Sequence, residues 1–169
     1  QKPATLLFTD IVGSTEFFEA AGDIAGRQMI QTHNDLLFPL IASHRGTVIK
    51  TIGDSIMARF EDPVEGTRCA ISMQEALQRF NAGRPEPERI RVRMGLHYGS
   101  AVMEERDLFG DMVNAAARVE SRAQGEEILI SGSLAAQLKD SGIALIFLGS
   151  DTVKGKKQKI DFHLVNWSG

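Results

Sequence analysis

The run GTVIKTIGDSIMARF, Gly46 to Phe60, decides the fold. Two stretches rich in β-branched and apolar residues flank Gly53-Asp54, and a glycine-aspartate pair between such stretches signals a tight hairpin. A hairpin in the middle of the chain argues against regular strand-helix alternation. It therefore argues against a phosphate-accepting receiver domain, which is also built around aspartates. Asp54 is expected at the turn.

Working outward, LLFTDIVGST, Leu6 to Thr15, reads as a strand that ends at Asp10 and runs into glycine and two hydroxyls. Thr15 to His44 repeats apolar residues at helical spacing, with Ser14 or Thr15 able to cap its start. Pro63 to Phe80 gives a second helix, and NAGRPEPER a polar loop. Ile90 to Tyr98 alternates as a strand, and Ser100 to Met103 is a short run that continues or pairs with it. Gly110 to Arg122 is helical, and EEILISGSLAAQL offers a strand and a short helix. Two strand-like runs between Ile143 and Val165 flank DTVKGKKQK. The order predicts an α+β fold: a ferredoxin-like split βαβ core (βαββαβ), mostly antiparallel with helices on one face, plus a C-terminal helix and strands.

At 169 residues with a net charge of -3, the chain suits one domain, 1–169, and carries no basic excess for a nucleic-acid polymer. It shows no signal peptide and no apolar run long enough to span a membrane. The lone Cys69 sits on an apolar helix face as a core thiol, which fits a cytoplasmic setting.

In the predicted sheet Asp10 and Asp54 approach one another. Paired carboxylates repel unless a cation lies between them, and hard oxygen ligands suit Mg²⁺. With no His or Cys near either position, zinc is not suggested. The glycine and free amides that follow Asp10, at a helix start, suit phosphate oxygens. The four histidines, His33, His44, His97 and His163, have no metal-ligand spacing and read as surface or locally bonded residues. Each site residue also has a plainer reading. Asp10 could cap a helix, Asp54 could shape an ordinary turn, Asn114 could be a satisfied polar residue and Arg118 could sit in an ion pair. Lys50, Asp107 and the GKK run could be solvated surface.

FTDIVGST, IKTIGDSIMARF, DLFGDMVNAAARVES and TVKGKK, in this order and spacing, resemble the catalytic domain of class III nucleotidyl cyclases, most like a bacterial adenylate cyclase. The resemblance runs from Ala4 to Leu164 without a departure at the family's functional positions. It implies two divalent ions per site, Mg²⁺ or Mn²⁺, held by Asp10, Asp54 and the backbone carbonyl of Ile11. Gly13, Ser14 and Thr15 match the turn that holds the β- and γ-phosphates. Lys50 and Asp107 match the base-reading pair, Asn114 and Arg118 the ribose-orienting and transition-state residues, and Lys154 the triphosphate lysine. A lysine donor and an aspartate acceptor complement adenine N1 and N6, so ATP is the expected substrate and cyclic AMP the product. Guanylate cyclase activity, or a catalytically silent nucleotide-binding or dimerisation module, are the alternatives. Lys50 and Asp54 lie on one hairpin yet serve opposite ends of the nucleotide, so the resemblance implies a head-to-tail homodimer with shared sites. It further implies a piece of a longer chain with a regulatory or sensor domain.

Overall fold

The computed structural model describes residues 2–100, 102–104, 107–109, 111–152 and 159–168. Its centre is a seven-stranded sheet in the order β2-β3-β1-β4-β7-β9-β8. The strands are β1 (Pro3–Ile11), β2 (Thr47–Ile52), β3 (Ser55–Phe60), β4 (Val92–Ser100), β7 (Ile128–Ser131), β8 (Leu145–Thr152) and β9 (Lys159–Val165). β1 lies between β3 and β4 and is antiparallel to both, while β4 and β7 run parallel. The expected hairpin is present: Ile52 pairs with Ser55, leaving Gly53 and Asp54 as the turn.

The helices are α1 (Ser14–Ala21), α2 (Asp23–Ser43), α3 (Pro63–Asn81), α4 (Asp111–Arg122) and α5 (Gly132–Gln137). The expected long first helix is broken at Gly22, which separates α1 from α2. α3 starts as its sequence predicts, with the Asp62 carboxylate accepting from the Val64 and Glu65 amides and Pro63 at the first turn.

One expectation is corrected here, because the sheet is covered on both faces. Leu7 and Ile11 of β1 pack with Leu37 and Ile41 of α2 and with Cys69, Met73 and Leu77 of α3. Ala4 and Leu6 point the other way, into Met112 and Ala116 of α4. Successive strand residues face opposite sides, so an unbroken apolar run such as Leu6-Leu7-Phe8 needs a cover on each. A second correction concerns the segment after β4. β5 (Val102–Glu104) and β6 (Asp107–Phe109) pair with each other as a separate ribbon.

Two features seat the strand that borders the site. Asn81 donates to the Ile90 carbonyl and accepts from the Ile90 amide, both at 2.8 Å, which closes the polar loop onto the start of β4. Gly95 lets α4 lie directly on β4, since a Cβ there would sit 2.2 Å from the Glu120 amide nitrogen. Cys69 is fully buried, as expected, and burial pushes its thiol up to about 12. His33 is buried as well, paired with its neighbour Asn34, and burial lowers its pKa.

Candidate active site

Asp10 lies near the carboxy end of β1, where an aspartate is a poor strand residue and needs partners. It has two. Its register neighbour on β4 is Arg93, whose Nη2 donates to Asp10 Oδ2 at 2.9 Å. From the start of β3, the Ser55 hydroxyl donates to Asp10 Oδ1 at 3.2 Å. The plainer reading of Asp10 as a helix cap fails, because the residue preceding α1 is Gly13, in the left-handed region at φ 74°, and no side chain caps it. The expected Ser14 or Thr15 cap fails for the same reason. Only glycine takes that backbone conformation without cost, and the first amides of α1 receive no side-chain cap.

Asp54 meets Asp10 across the sheet, as the hairpin predicted. Burial is the first cause of its raised pKa, a hydrogen bond from Ser14 opposes the shift, and the charge of Asp10 adds to it. Asp54 Oδ2 is buried with no hydrogen-bond partner. A desolvated carboxylate oxygen facing a second carboxylate fits a hard cation, the chemistry that an oxygen-ligated divalent ion supplies. Among the described residues no three His, Cys, Asp or Glu side chains are placed to hold a metal ion by themselves. Ile11, whose side chain is buried in the core, has only its backbone to offer.

A carboxyl whose pKa rises on folding binds more protons folded than unfolded. It favours the fold at low pH and costs stability as pH climbs through the folded pKa. Asp54→Asn is therefore expected to raise the melting temperature of the metal-free protein. The same change should remove any further rise on adding Mn²⁺, which is expected of the wild type if the paired carboxylates hold the ion. Thermal melts with and without Mn²⁺ check both, and a lower melting temperature for the metal-free variant would show the carboxylate to be a structural acceptor instead.

Two residues of this cleft were missed in the sequence. Arg93 also reaches towards α4, with its Nε 3.7 Å from Glu120 Oε2. Glu120 has a raised pKa: burial is the first cause, Arg93 opposes it, and Asp10 and Asp54 add to it. Asp10 and Glu120 thus flank one guanidinium while Asp54 lies close enough to interact with both of these carboxylates, a local excess of negative charge that attracts cations. The alternation of IRVRMGLHY placed Arg93 on a polar face, but only the β1–β4 register puts it beside Asp10.

The remaining candidates divide into separate places. Ser14 bonds Asp54 through its side chain, and Thr15 is exposed. Lys50 is exposed on β2, opposite Met57. Asp107, expected in a loop, stands opposite Glu104 in the β5–β6 ribbon. Asn114 is exposed on α4, and Arg118, one turn further on, sits in the ion pair its plainer reading proposed, with Nη2 3.5 Å from Asp151 Oδ2. Lys154 and the GKK run lie outside the described residues.

Residues 1–166 match the family model described as the adenylate and guanylate cyclase catalytic domain. Adenylate cyclase 1 of Rhizobium meliloti (strain 1021) is 33% identical over 187 residues, and guanylate cyclase 2G of Mus musculus is 33% identical over 184. Each alignment takes in 98% of this chain but only 28% and 16% of the respective relative, so the chain spans less than a third of their length. The crystal structure of an adenylate/guanylate cyclase/hydrolase from Silicibacter pomeroyi has a TM-score of 0.86 at 31% identity, covering 97% of this chain and 96% of the other. Adenylate and guanylate cyclases both stand among the relatives.

Proposed function

Since the chain belongs to the family of adenylate and guanylate cyclase catalytic domains and is a class III nucleotidyl cyclase domain, we propose that it converts ATP into 3',5'-cyclic AMP and pyrophosphate at sites shared by two copies. The observation that carries this reading is the buried, partnerless oxygen of Asp54 facing Asp10 beside the uncapped start of α1. In the reaction the ribose 3'-oxygen attacks the α-phosphorus, the bond to the β-phosphate oxygen breaks, and the hydroxyl proton leaves with no dedicated protein base.

Asp10, Asp54 and the Ile11 carbonyl would hold two divalent ions, Mg²⁺ or Mn²⁺, which when bound lower the pKa of the 3'-hydroxyl and neutralise charge on the attacking and leaving oxygens. The amides at Gly13, Ser14 and Thr15 receive the β- and γ-phosphates. Arg118 donates to the α-phosphoryl oxygens as their charge redistributes, and Asn114, one turn away, orients the ribose. Lys154 offers a flexible positive head to the terminal phosphates.

Lys50 donates to adenine N1 and Asp107 accepts from N6, whereas guanine presents a donor and a carbonyl at the matching positions. The identity of these two residues supports ATP over GTP. Lys50 and Asp54 are four residues apart on one hairpin but are assigned to opposite ends of the nucleotide. A head-to-tail homodimer resolves this: one copy supplies the carboxylates and phosphate turn, and the other supplies Lys50, Asp107, Asn114, Arg118 and Lys154. The catalytic domain is proposed to work in the cytoplasm, joined to a regulatory or sensor module.

Purified protein incubated with ATP or GTP and Mn²⁺ or Mg²⁺, followed by chromatography of the products, tests the reading. Cyclic AMP from ATP is expected. Cyclic GMP alone would overturn the base assignment, and no cyclic product from either nucleotide would leave a silent nucleotide-binding module.

A further inference from the structure

On the side of α4 towards β8, a small charged network surrounds the residue assigned to the transition state. Arg118 and Arg122 are one helical turn apart and so share a face. Both meet the same carboxylate oxygen near the end of β8. Arg118 Nη2 lies 3.5 Å from Asp151 Oδ2, and Arg122 Nη2 contacts that oxygen closely. Arg122 is held from a second side, because its guanidinium carbon lies 5.1 Å from the centroid of the Phe162 ring on β9. Phe162 is itself buried, and its neighbour across the ladder is Gly149 of β8. The Asp151 side chain is 21% exposed, so its charge is only partly screened by water.

We propose that Asp151 is a positioning residue for Arg118, an anion fixed by Arg122 and Phe162 against which the Arg118 guanidinium is set for its work on the α-phosphoryl group. This rests on the cyclase reading above. A guanidinium carries five donors, so the long contact to Asp151 helps to align it and leaves donors for a substrate. An arginine side chain, three methylenes and a guanidinium, can take many rotamers, and ordering its head group in advance removes part of that cost from the chemical step. Asp151 stands near the end of β8, so the same clasp ties the helix carrying Asn114 and Arg118 to that strand.

The rival is a purely structural clasp in which the Asp151–Arg122 pair pins α4 to the sheet. A double-mutant cycle of Asp151→Ala and Arg118→Ala separates the two, read as kcat and KM for ATP alongside melting temperature. Asp151→Ala is expected to lower kcat about 10–100-fold, the scale of a misplaced catalytic group, with KM little changed. Its effect should largely vanish when Arg118 is already alanine, because Asp151 acts through it. Arg122→Gln should lower the melting temperature while keeping more of kcat than Asp151→Ala does. Should Asp151→Ala fail to fold, Asp151→Asn, which keeps the shape and one acceptor oxygen, enters the same cycle.

Additive effects in the cycle, an unchanged kcat with only a lower melting temperature, or a higher kcat would each overturn the proposal; the last would make Asp151 a brake. A readout independent of turnover is the ¹⁵N–¹H resonance of Arg118 Nε, assigned by its loss in Arg118→Lys. Asp151→Ala should shift it and speed its solvent exchange. If wild-type protein forms no cyclic nucleotide, the cyclase reading fails by itself; an active wild type with an unmoved resonance and full kcat in Asp151→Ala fails this inference alone.

Discussion

Asp54→Ala and Arg118→Ala chains, each nearly inactive by itself, are expected to recover cyclase activity when mixed. Arg118 is proposed to supply donors to charge developing on the α-phosphoryl group, and loss of such a stabiliser costs about 10²–10³-fold in turnover. Asp54 is the carboxylate with a buried oxygen lacking a donor, and its removal should cost at least as much. In a head-to-tail pair the two lesions fall in the same site in one arrangement and leave the other site whole. Random pairing makes half the dimers mixed and leaves one good site in each, so recovery should approach about a quarter of the wild-type rate. Product chromatography on the mixture, with mixed dimers verified by native mass spectrometry, measures it. No recovery with mixed dimers present would refute the division of labour between copies.

Gly95→Ala should be the most damaging small substitution in the sheet. The new methyl would sit 2.2 Å from the Glu120 nitrogen and 2.4 Å from its Cα, and both are backbone atoms that cannot rotate aside. Either α4 lifts from β4 or the strand bends. Overpacking of this kind costs about 3 kcal/mol, which lowers the melting temperature by about 6–12 °C in a domain of this size. Gly99→Ala on the same strand is the control. Its nearest contact is the His97 ring edge at 3.2 Å, the movable end of a side chain, so its loss should be much smaller. Urea denaturation of the two variants makes the comparison, and equal losses would mean that the α4–β4 approach is not tight. Because α4 also carries Asn114, Arg118 and Glu120, Gly95→Ala should lower turnover even where it remains folded.

Local signals were enough for the parts of the fold that depend on neighbours in sequence. Gly53-Asp54 between two β-rich runs marked the hairpin, and β3 beside β1 then brought Asp54 to Asp10. Asn114 and Arg118 share a helix because they are four apart on an apolar-striped segment. What escaped depends on which element covers which face. The apolar run Leu6-Leu7-Phe8 was a sign of burial on both sides, but it does not say which helix lies on each. Arg93 and Glu120 escaped for a related reason. One is aligned to Asp10 only by strand register, and the other is brought over the sheet only by the absence of a side chain at Gly95. Ser14 was read as a cap and a phosphate-turn residue, yet its hydroxyl turns to Asp54 from the next element, a contact that no spacing announces.

Helix α4 has a double allegiance. Glu120 leans towards the carboxylates and Arg93 of its own chain. Asn114 and Arg118, on the same rigid rod, are assigned to the centre completed by the twin. In the proposed pair a displacement at either end of this rod would be passed to the other, so the two catalytic centres would be mechanically linked rather than independent.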